Sequence, residues 1–275
     1  MSFSENDVMR ALYARIDDLD RRAERGELSA TAFLSPREQK AAERYITLKG
    51  RKYLRCGGYA DAERRKIYIL PDYMEFLADC DNEGASPDAL DGILSEFGYA
   101  SNMSALRVAG SGYRQLTHRD FLGSLLGIGL ERDVIGDILV LGDDGREAVI
   151  FCDGEISRFI ESELSHVAND KVCVSRVSDG EWQVPPRRVQ AISDTVASAR
   201  LDAVVAALCN LSREKAQSAV RAGLVEIDFE GEERPDRAVS APSVISVRGF
   251  GRFRVLSVDG RTRKGRYRLD AEKYV

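Results

Sequence analysis

Ser198-Ala199-Arg200-Leu201-Asp202 opens the stretch that decides the fold of the C-terminal part, and Ile245-Ser246-Val247-Arg248-Gly249-Phe250-Gly251-Arg252-Phe253 closes it, just before Arg254. Between these motifs, the spacing of apolar residues predicts two short helices followed by short strands. The first helix has apolar residues at positions i, i+3, i+4 and i+7, which form one stripe facing a core: Leu201, Val204, Val205 and Leu208.

A second helix is predicted to begin after Ser212 and to end at Gly223. The serine hydroxyl accepts a hydrogen bond from a first-turn N–H, which has no partner inside the helix. Glycine ends helices because it adopts the left-handed backbone conformation at little steric cost. The buried face of this helix consists of small residues, so the two helices approach closely; its members are Ala216, Ala219 and Val220.

The opposite face of the second helix is polar and cationic. Arg213, Gln217 and Arg221 are four residues apart and therefore form one ridge. Arg200 and Lys215 lie beside this ridge if the helices pack as a hairpin. Planar guanidinium groups with a neighbouring amide suit the phosphates and sugars of a nucleic-acid backbone. Charge alone leaves a second interpretation open, an ordinary solvated helix face.

The distribution of charge favours the nucleic-acid interpretation, although the net charge of −5 does not. Residues 245–275 contain nine basic and three acidic residues, so the rest of the chain carries a net charge of −11. This asymmetry predicts one end that faces a polyanion, attached to an acidic body. We expect the acidic body to weaken indiscriminate RNA binding and to favour one docking pose.

The pattern Ser-x-Arg-Leu-Asp, Ser-Arg-x-x-Ala-Gln, a glycine-ended helix and Ile-Ser-Val-Arg-Gly-x-Gly-Arg-Phe resembles the S4-type RNA-binding domain, which has the αL fold. The resemblance implies that Ser198, Asp202 and Ser212 fix the helix ends of the RNA-binding site. It implies RNA contacts from the basic and amide residues Arg200, Arg213, Lys215, Gln217, Arg221, Arg248 and Arg252. The family usually has Val-x-Val-Asn-Gly where this chain has Val225–Gly231, whose added carboxylates repel phosphate.

The composition is that of a globular protein: of 275 residues, 44% are hydrophobic and 31% are charged. No apolar run approaches the roughly 20 residues that a membrane helix needs, and the N-terminal segment lacks the apolar core of a signal peptide. Five scattered cysteines and two histidines favour reduced thiols and argue against a metal site. We therefore expect a cytoplasmic protein with no membrane contact, no metal and no cofactor.

The N-terminal region is predicted to be a small helical domain, residues 1–65. Apolar residues on one face predict a helix over 4–27 with a stop at Gly26, and they are Val8, Leu12, Ile16 and Leu19. Ser35-Pro36-Arg37-Glu38 predicts the start of a second helix, with a capping box and proline at the first position. A glycine-bearing loop and a basic patch, Arg64-Arg65-Lys66, follow.

The central region, residues 66–180, is predicted to be a split βαβ, RRM-like domain. After a strand at 66–71 and an acidic loop at 79–88, the pattern predicts β-α-β-β-α-β. The expected elements are strand 105–109, helix 117–126, strand 137–141, a turn at 142–145, strand 147–152, helix 155–167 and strand 172–177. No pair of aromatic residues for stacking bases occurs on these strands, which separates the domain from a typical RNA-recognition sheet.

A linker is predicted over 181–192, because Pro185 and Pro186 remove backbone donors and stiffen the chain. Residues 193–275 then form the S4-type domain with a basic C-terminal hairpin. Asp259-Gly260 is a favourable hairpin dipeptide and is predicted to form its turn. The whole chain is thus an α+β, multidomain protein.

The motif Thr117–Gly129 contains residue types found in acid–base pairs and phosphate-binding loops, but their spacing supports neither kind of site. His118 and Asp120 lie two residues apart and face different sides of a helix, so they do not form an acid–base pair. Its glycines do not stand between a strand and a helix start, as a phosphate-binding loop requires. Thr117 and Asp120 instead form a capping pair, and we predict no catalytic residue. His118 and Arg119 are predicted as a second RNA contact at this helix start.

Further motifs occur in one order along the chain: Phe33-Leu34-Ser35-Pro36-Arg37-Glu38-Gln39, Gly57-Gly58-Tyr59 with Ala62-Glu63-Arg64-Arg65-Lys66, Thr117–Gly129, Arg132 and Ile135-Gly136-Asp137-Ile138. Together with the S4-type pattern they resemble the YlmH family of bacterial RNA-binding proteins, often encoded near cell-division genes. The resemblance implies a non-enzymatic, cytoplasmic factor. It implies binding to rRNA or tRNA on large ribosomal subunits that carry peptidyl-tRNA, in rescue of stalled translation. Nothing in the sequence demands a dimer, so a monomer is expected.

Two alternatives remain open at this point. An RNA-modifying enzyme such as a pseudouridine synthase-like protein often carries an S4-type domain, and Arg200-Leu201-Asp202 matches the catalytic triplet of those synthases. However, those enzymes usually place the domain first in the chain. A cell-division-associated interaction protein with incidental RNA binding is the other alternative, because the N-terminal two-thirds is acidic.

Overall fold

The computed structural model describes residues 5–79, 85–142, 145–178, 180–186, 189–262 and 265–274. The chain is α+β and divides into two compact units, Met1–Pro185 and Pro186–Val275. We describe each unit by itself. The first unit contains both regions that the sequence predicts as separate N-terminal and central domains.

The first unit combines helices with two antiparallel sheets. Its helices are α1 (Glu5–Glu24), α2 (Pro36–Leu48), α3 (Pro87–Ser95), α4 (His118–Gly127) and α5 (Gly154–Glu163), with 3-10 helices at Asp72–Asp79 and Arg132–Val134. Its strands are β1 (Ser29–Ala30), β2 (Tyr53–Cys56), β3 (Lys66–Ile69), β4 (Met103–Gly110), β5 (Ile135–Leu141), β6 (Glu147–Asp153), β7 (His166–Val167) and β8 (Asp170–Arg176). The sheet orders are β1-β3-β2 and β5-β6-β4-β8-β7.

Two helix starts follow the predicted capping chemistry. The Ser35 hydroxyl accepts from the Glu38 N–H, and the Glu38 carboxylate accepts in return from the Ser35 N–H at 2.7 Å. Thr117 and Asp120 make the same reciprocal pair at the start of α4, with 2.8 Å from the Thr117 N–H to Asp120 Oδ2. Both capping boxes are confirmed, because each satisfies N–H groups that the helix leaves without partners.

The predicted β-α-β-β-α-β order is present as β4-α4-β5-β6-α5-β8. Side chains alternate between the faces of this sheet, so neighbours on β6 enter different cores. Ile150 packs with Phe121 of α4 and Ile160 of α5. Phe151 packs on the opposite face, in a core that includes Phe33 from the N-terminal region. The five-stranded sheet is therefore covered on both faces.

Several predicted boundaries in the first unit are wrong. The helix predicted over 155–167 ends at Glu163, and His166–Val167 instead pairs with β8 as strand β7. Ser86 caps α3 inside the predicted 79–88 loop, because its hydroxyl accepts from the Ala89 N–H. The predicted turn at 142–145 includes residues outside the described ranges. In α1, Val8 is 40% exposed rather than part of the buried face.

The predicted limit between the N-terminal and central regions falls between paired strands. β2 and β3 lie on either side of residue 65, and they form an antiparallel ladder in which Cys56 stands opposite Lys66. A ladder of this kind joins the two regions through backbone hydrogen bonds. The N-terminal helices and the central sheet consequently belong to one compact unit.

The second unit packs a helical hairpin against one antiparallel sheet. Its helices are α6 (Leu201–Leu208) and α7 (Arg213–Arg221). Its strands are β9 (Val189–Val196), β10 (Val225–Ile227), β11 (Glu230–Gly231), β12 (Ser243–Val247), β13 (Gly251–Arg261) and β14 (Tyr267–Tyr274), in the order β11-β10-β12-β13-β14-β9.

The helical hairpin matches its predicted chemistry. The apolar stripe of α6 is buried, and of the predicted buried face of α7, Ala216 and Val220 are completely buried against it while Ala219 is partly buried. Ser212 caps α7, accepting from the Lys215 N–H at 3.3 Å. Gly223 has a φ of +67° and donates to the Val220 carbonyl, while the next N–H reaches the Ala219 carbonyl. This pair of bonds closes the helix end and requires a left-handed residue at Gly223.

Two boundaries of the second unit differ from prediction. The predicted linker ends too late, because β9 begins at Val189 and pairs along the whole of β14. The C-terminal hairpin does not turn at Asp259-Gly260, since β13 continues to Arg261 and Asp259 stands opposite Arg268. Pairing with a full-length neighbouring strand outweighs the local turn preference of the Asp-Gly pair.

No helix within the described ranges combines the length and the apolar character needed to cross a membrane.

Candidate nucleic-acid interface

The centre of the candidate interface is a buried carboxylate, Asp202, in the first turn of α6. Its side chain has no solvent exposure. Arg200 donates to it through Nε and Nη2 at 3.2 and 3.1 Å, and Arg213 of α7 donates through the same two atoms at 3.4 and 3.3 Å. Gln217 adds a bond of 2.8 Å from Nε2 to Oδ2. One carboxylate therefore holds three residues of the predicted site.

The charge of Asp202 is stabilised by these donors. Burial acts to raise the pKa of this carboxyl, but hydrogen bonds from Arg200, Gln217 and Arg213 outweigh it and lower the pKa to about 2. The carboxylate is thus ionised at neutral pH and bonds two guanidinium groups at once. Because two positive charges meet one negative charge, the cluster has an excess of positive charge.

The arginines of this cluster remain accessible. The Arg200 and Arg213 side chains are 42% and 47% exposed, although each uses two N–H groups on Asp202. A guanidinium has five N–H donors, so each arginine keeps donors for an external anion. The buried carboxylate fixes the direction of the two groups, which lowers the entropy lost when they bind a phosphate.

Two further cations are exposed on α7: Arg221 continues the ridge of Arg213 and Gln217, and Lys215 lies on another side of the same helix. No described carboxylate pairs with either of them. Arg248 is exposed in the turn between β12 and β13 and has no carboxylate partner in the described ranges either. Its N–H donates to the Leu224 carbonyl at 2.9 Å, which brings this turn to the chain just after α7. The cationic face therefore continues beyond the end of the helix.

A cavity of about 300 Å³ adjoins Arg213. Its polar lining includes Asn210 and Arg266, and the Arg266 guanidinium donates to the Thr195 carbonyl of β9. Arg266 belongs to the basic C-terminal hairpin predicted from the sequence. The cavity is large enough for a small polar group, and both Arg213 and Arg266 line it.

Ser198 does not cap α6, contrary to the prediction. Its Oγ is buried and has no hydrogen-bond partner among the described residues. The N-cap position is Arg200, without a side-chain cap. The N–H groups of Leu201 and Asp202 instead donate to the carbonyls of Arg237 and Pro235 at 2.8 and 3.0 Å. A following loop supplies these acceptors, which the local sequence pattern does not reveal.

Arg252 is engaged with the acidic segment that departs from the S4-type pattern. Its guanidinium lies 5.2 Å from the centre of the Phe229 ring. Asp228 and Phe229 both have positive φ, and the Asp228 carboxylate accepts from the Val244 N–H at 2.8 Å. The segment therefore contains a tight hairpin turn, and the carboxylate of Asp228 is used internally.

The predicted second contact lies in the first unit. His118 and Arg119 are exposed in the first turn of α4. Desolvation and the charge of Arg132 lower the pKa of His118, so its imidazole is mainly neutral at pH 7. The structure places the two residues together at an accessible helix start, and their contact with RNA stays a prediction.

The basic patch Arg64-Arg65-Lys66 is not an open surface. Lys66 is buried and its Nζ contacts Asp153 Oδ2 at 2.9 Å. Arg64 donates to the carbonyls of Phe33, Arg132 and Ile135 at 2.6, 3.0 and 2.9 Å. Arg65 donates to two carbonyls of its own loop. Arg64 and Lys66 therefore connect the β2–β3 region to the five-stranded sheet, whereas Arg65 closes its own loop.

No group of three or more histidine, cysteine, aspartate or glutamate side chains able to hold a metal occurs in the part of the chain that the structure describes.

Sequence reasoning assigned Asp202 only to a helix end and missed its role as the shared acceptor. The available signal was an aspartate, two residues after an arginine, within an otherwise apolar helix that faces a second arginine.

Comparison with known proteins agrees with the sequence motifs. The family model described as "Putative RNA-binding domain in YlmH" matches residues 103–181. A Bacillus subtilis (strain 168) protein named "Ribosome-associated protein quality control protein P2" is 30% identical over 250 residues, which cover 91% of this chain and 89% of that protein. The solved structure of "Cell division protein ylmH from Streptococcus pneumoniae" is 18% identical, with a TM-score of 0.46, and covers 65% of this chain and 94% of that one. On the motifs and the identity to the Bacillus protein, the chain belongs to the YlmH family.

Proposed function

We propose that this protein is a non-enzymatic RNA-binding factor of the large ribosomal subunit that acts in rescue of stalled translation. Its C-terminal unit acts as an S4-type domain of the αL fold that binds rRNA, peptidyl-tRNA or both. The observation that carries the proposal is the Asp202 cluster, which holds Arg200 and Arg213 on the ridge that Arg221 continues, with Lys215 also exposed on α7.

The chemistry of this face supports a phosphate backbone as its ligand. Oriented guanidinium groups bind phosphate oxygens through parallel N–H bonds, and a lysine adds a mobile positive charge. The half-buried Gln217 amide offers a polar group at the centre of the ridge. Phosphate contacts of this kind fix the position of a protein on RNA without reading its sequence.

The name of the Bacillus relative supports the ribosomal setting. The family-model description supports a second RNA contact in the RRM-like part of the first unit, where His118 and Arg119 are exposed. We further propose that the protein works as a monomer in the cytoplasm.

The burial of Asp202 supports a binding role over an enzymatic one. A pseudouridine synthase-like reaction needs an aspartate that reaches the substrate base. Here the aspartate of Arg200-Leu201-Asp202 has no solvent exposure, and both of its oxygens accept hydrogen bonds from arginines. Its task is to hold the arginines rather than to attack a ligand.

Co-sedimentation with purified large ribosomal subunits tests the proposal. The best variant is Lys215→Glu with Arg221→Glu, because neither residue has an internal ion pair in the described structure and folding is therefore preserved. Arg213→Glu is less informative, since it places a second carboxylate beside Asp202. We expect the double variant to leave the subunit fraction at a salt concentration where the natural chain remains bound.

The matched control reverses the charge of two exposed arginines that lie outside α7. Arg158 is exposed on α5 and forms no ion pair with a described residue, so Arg158→Glu paired with Arg10→Glu of α1 gives the same net charge change. We expect this control to co-sediment like the natural chain. If the Lys215 and Arg221 variant also co-sediments unchanged, the ridge is not the ribosomal contact.

A further inference from the structure

The central sheet lacks the open face on which RNA-recognition sheets stack bases. Its face away from α4 and α5 is occupied by aromatic residues of the protein itself. The Phe151 ring lies 5.4 Å from that of Tyr59 and 5.2 Å from that of Trp182, centre to centre. A nucleotide has no access there while this core is packed. RNA binding by residues 103–181 must therefore use an edge or a loop.

The loop between β4 and α4 presents the most exposed aromatic residue described in this protein. The Tyr113 side chain is 96% exposed. Its loop is nevertheless anchored at both ends. The Ser111 N–H donates to Asp170 Oδ2 at 3.0 Å, and the Leu116 N–H donates to the Gly145 carbonyl at 3.0 Å. Leu116 itself is buried in the core of the sheet. Hydrogen bonds thus tie both ends of the loop that exposes Tyr113.

Cationic side chains stand on the same end of the unit. Arg114 and Arg119 are exposed, and neither forms an ion pair with a described carboxylate. Arg114 lies three residues before Thr117, which caps α4. Hydrogen bonds from Thr117 and the charge of Arg114 lower the pKa of Asp120 in the first turn of that helix. Arg119 belongs to that same turn. One aromatic ring and two guanidinium groups without a described ion-pair partner thus belong to one loop and the helix turn that follows it.

We propose that this loop binds an unpaired RNA nucleotide, with the Tyr113 ring stacked on the base and with Arg114 and Arg119 on the flanking phosphates. Stacking suits any base, so the contact selects unpaired nucleotides rather than a sequence. Duplex RNA is excluded from this mode because its bases are already stacked and paired. The proposal deepens the proposed function by placing a second RNA contact of the same factor on the first unit.

Binding of the full chain to short RNA tests the proposal. The probe is a single-stranded RNA that contains 2-aminopurine, whose fluorescence is quenched by stacking. In the Lys215→Glu, Arg221→Glu background, where the C-terminal ridge is weakened, we expect Tyr113→Ala to abolish the quenching and to reduce affinity by about 5- to 100-fold. Tyr113→Phe keeps the ring and is expected to retain both signals.

Phe159→Ala is the matched control, since Phe159 is 43% exposed on α5 of the same unit. It is expected to bind like the parent. Unchanged quenching and affinity in Tyr113→Ala overturn the inference, as does an equal loss of affinity for an RNA duplex, which indicates phosphate contacts alone. The ribosomal proposal is judged separately by the effect of the Lys215 and Arg221 substitutions on subunit binding, so each proposal can fail without the other.

Discussion

Two basic clusters of this protein point in opposite directions in the structure. Arg64, Arg65 and Lys66 turn inward, where they bond backbone carbonyls and Asp153. Arg200 and Arg213 turn outward from one buried carboxylate and stay about half exposed. The comparison shows that the surroundings of the acceptors decide the role of a cation: acceptors from several packed segments draw Arg64 and Lys66 inward, whereas one carboxylate shared by two arginines leaves both guanidinium groups at the surface.

The glycines before the first cluster explain why it turns inward. A Cβ on Gly57 would lie 2.5 Å from the Arg64 carbonyl oxygen, and one on Gly58 would lie 2.3 Å from the Phe151 ring. Gly58 also has a φ of +94°. The two glycines let this loop fold closely onto the sheet, so that Arg64 reaches the carbonyls of Phe33 and Ile135. The second cluster has no such loop and stands on helices.

The largest expected effect comes from removing the buried cation of the inward cluster. Lys66→Met leaves Asp153 without its ammonium partner, and the Lys66 side chain is only 3% exposed. Breaking one partner of a buried pair costs about 3–5 kcal/mol, because a buried charge loses its compensation. We expect a loss of this size in the free energy of unfolding of the first unit, measured by urea denaturation.

Lys171 of β8 is the control for this loss, because it is exposed and pairs with no described carboxylate. Lys171→Met is expected to change the free energy of unfolding by no more than about 0.5 kcal/mol. A small effect of Lys66→Met would mean that the inward cluster is not a structural tie, and the contrast between the clusters would weaken.

A smaller loss is expected at the acceptor of the outward cluster. Asp202→Asn removes the charge that both guanidinium groups share, and we expect it to reduce the free energy of unfolding of the second unit by about 2–3 kcal/mol. Arg200 and Arg213 can turn to solvent in this variant, which limits the cost. Asp259→Asn on exposed β13 is the control and should be neutral within about 0.5 kcal/mol.

The same carboxylate predicts a pH dependence with a defined sign. The folded pKa of Asp202 is lowered to about 2, below the value of about 3.9 for an unfolded aspartate. Its stabilisation is therefore complete above about pH 4 and is lost as the pH falls towards 2. Between pH 4 and pH 2, the melting temperature of the natural chain should fall more steeply with decreasing pH than that of the Asp202→Asn variant. Thermal melts followed by circular dichroism measure both. Parallel pH curves for the two proteins would contradict the assigned role of Asp202.

The sequence predicted local features well where the chain itself supplies both partners. The capping boxes at Ser35 and Thr117, the buried stripe of α6 and the end of α7 at Gly223 all depend on residues a few positions apart. The central β-α-β-β-α-β order was likewise predicted, because alternating apolar residues recur along each strand.

What the sequence did not predict depends on distant partners. The carbonyls of Pro235 and Arg237 replace Ser198 at the start of α6, and β14 draws residues of the expected linker into β9. The inward direction of Arg64 required acceptors 31 and 71 residues away, at Phe33 and Ile135. Local pattern contains no information on such acceptors, so a basic patch in sequence is ambiguous until the fold is known.

The smallest expected effect tests the outward cluster against the inward one in a single measurement. Arg221→Gln removes one exposed cation and should reduce the slope of log affinity against log salt concentration by about 0.7–0.9, since one phosphate contact is lost. Arg65→Gln removes the same charge from the inward cluster, where the guanidinium donates to the carbonyls of Ala60 and Ala62. Its slope should equal that of the natural chain. If both substitutions changed the slope equally, charge alone and not the direction of the guanidinium would govern RNA binding, and the two clusters would not differ in function.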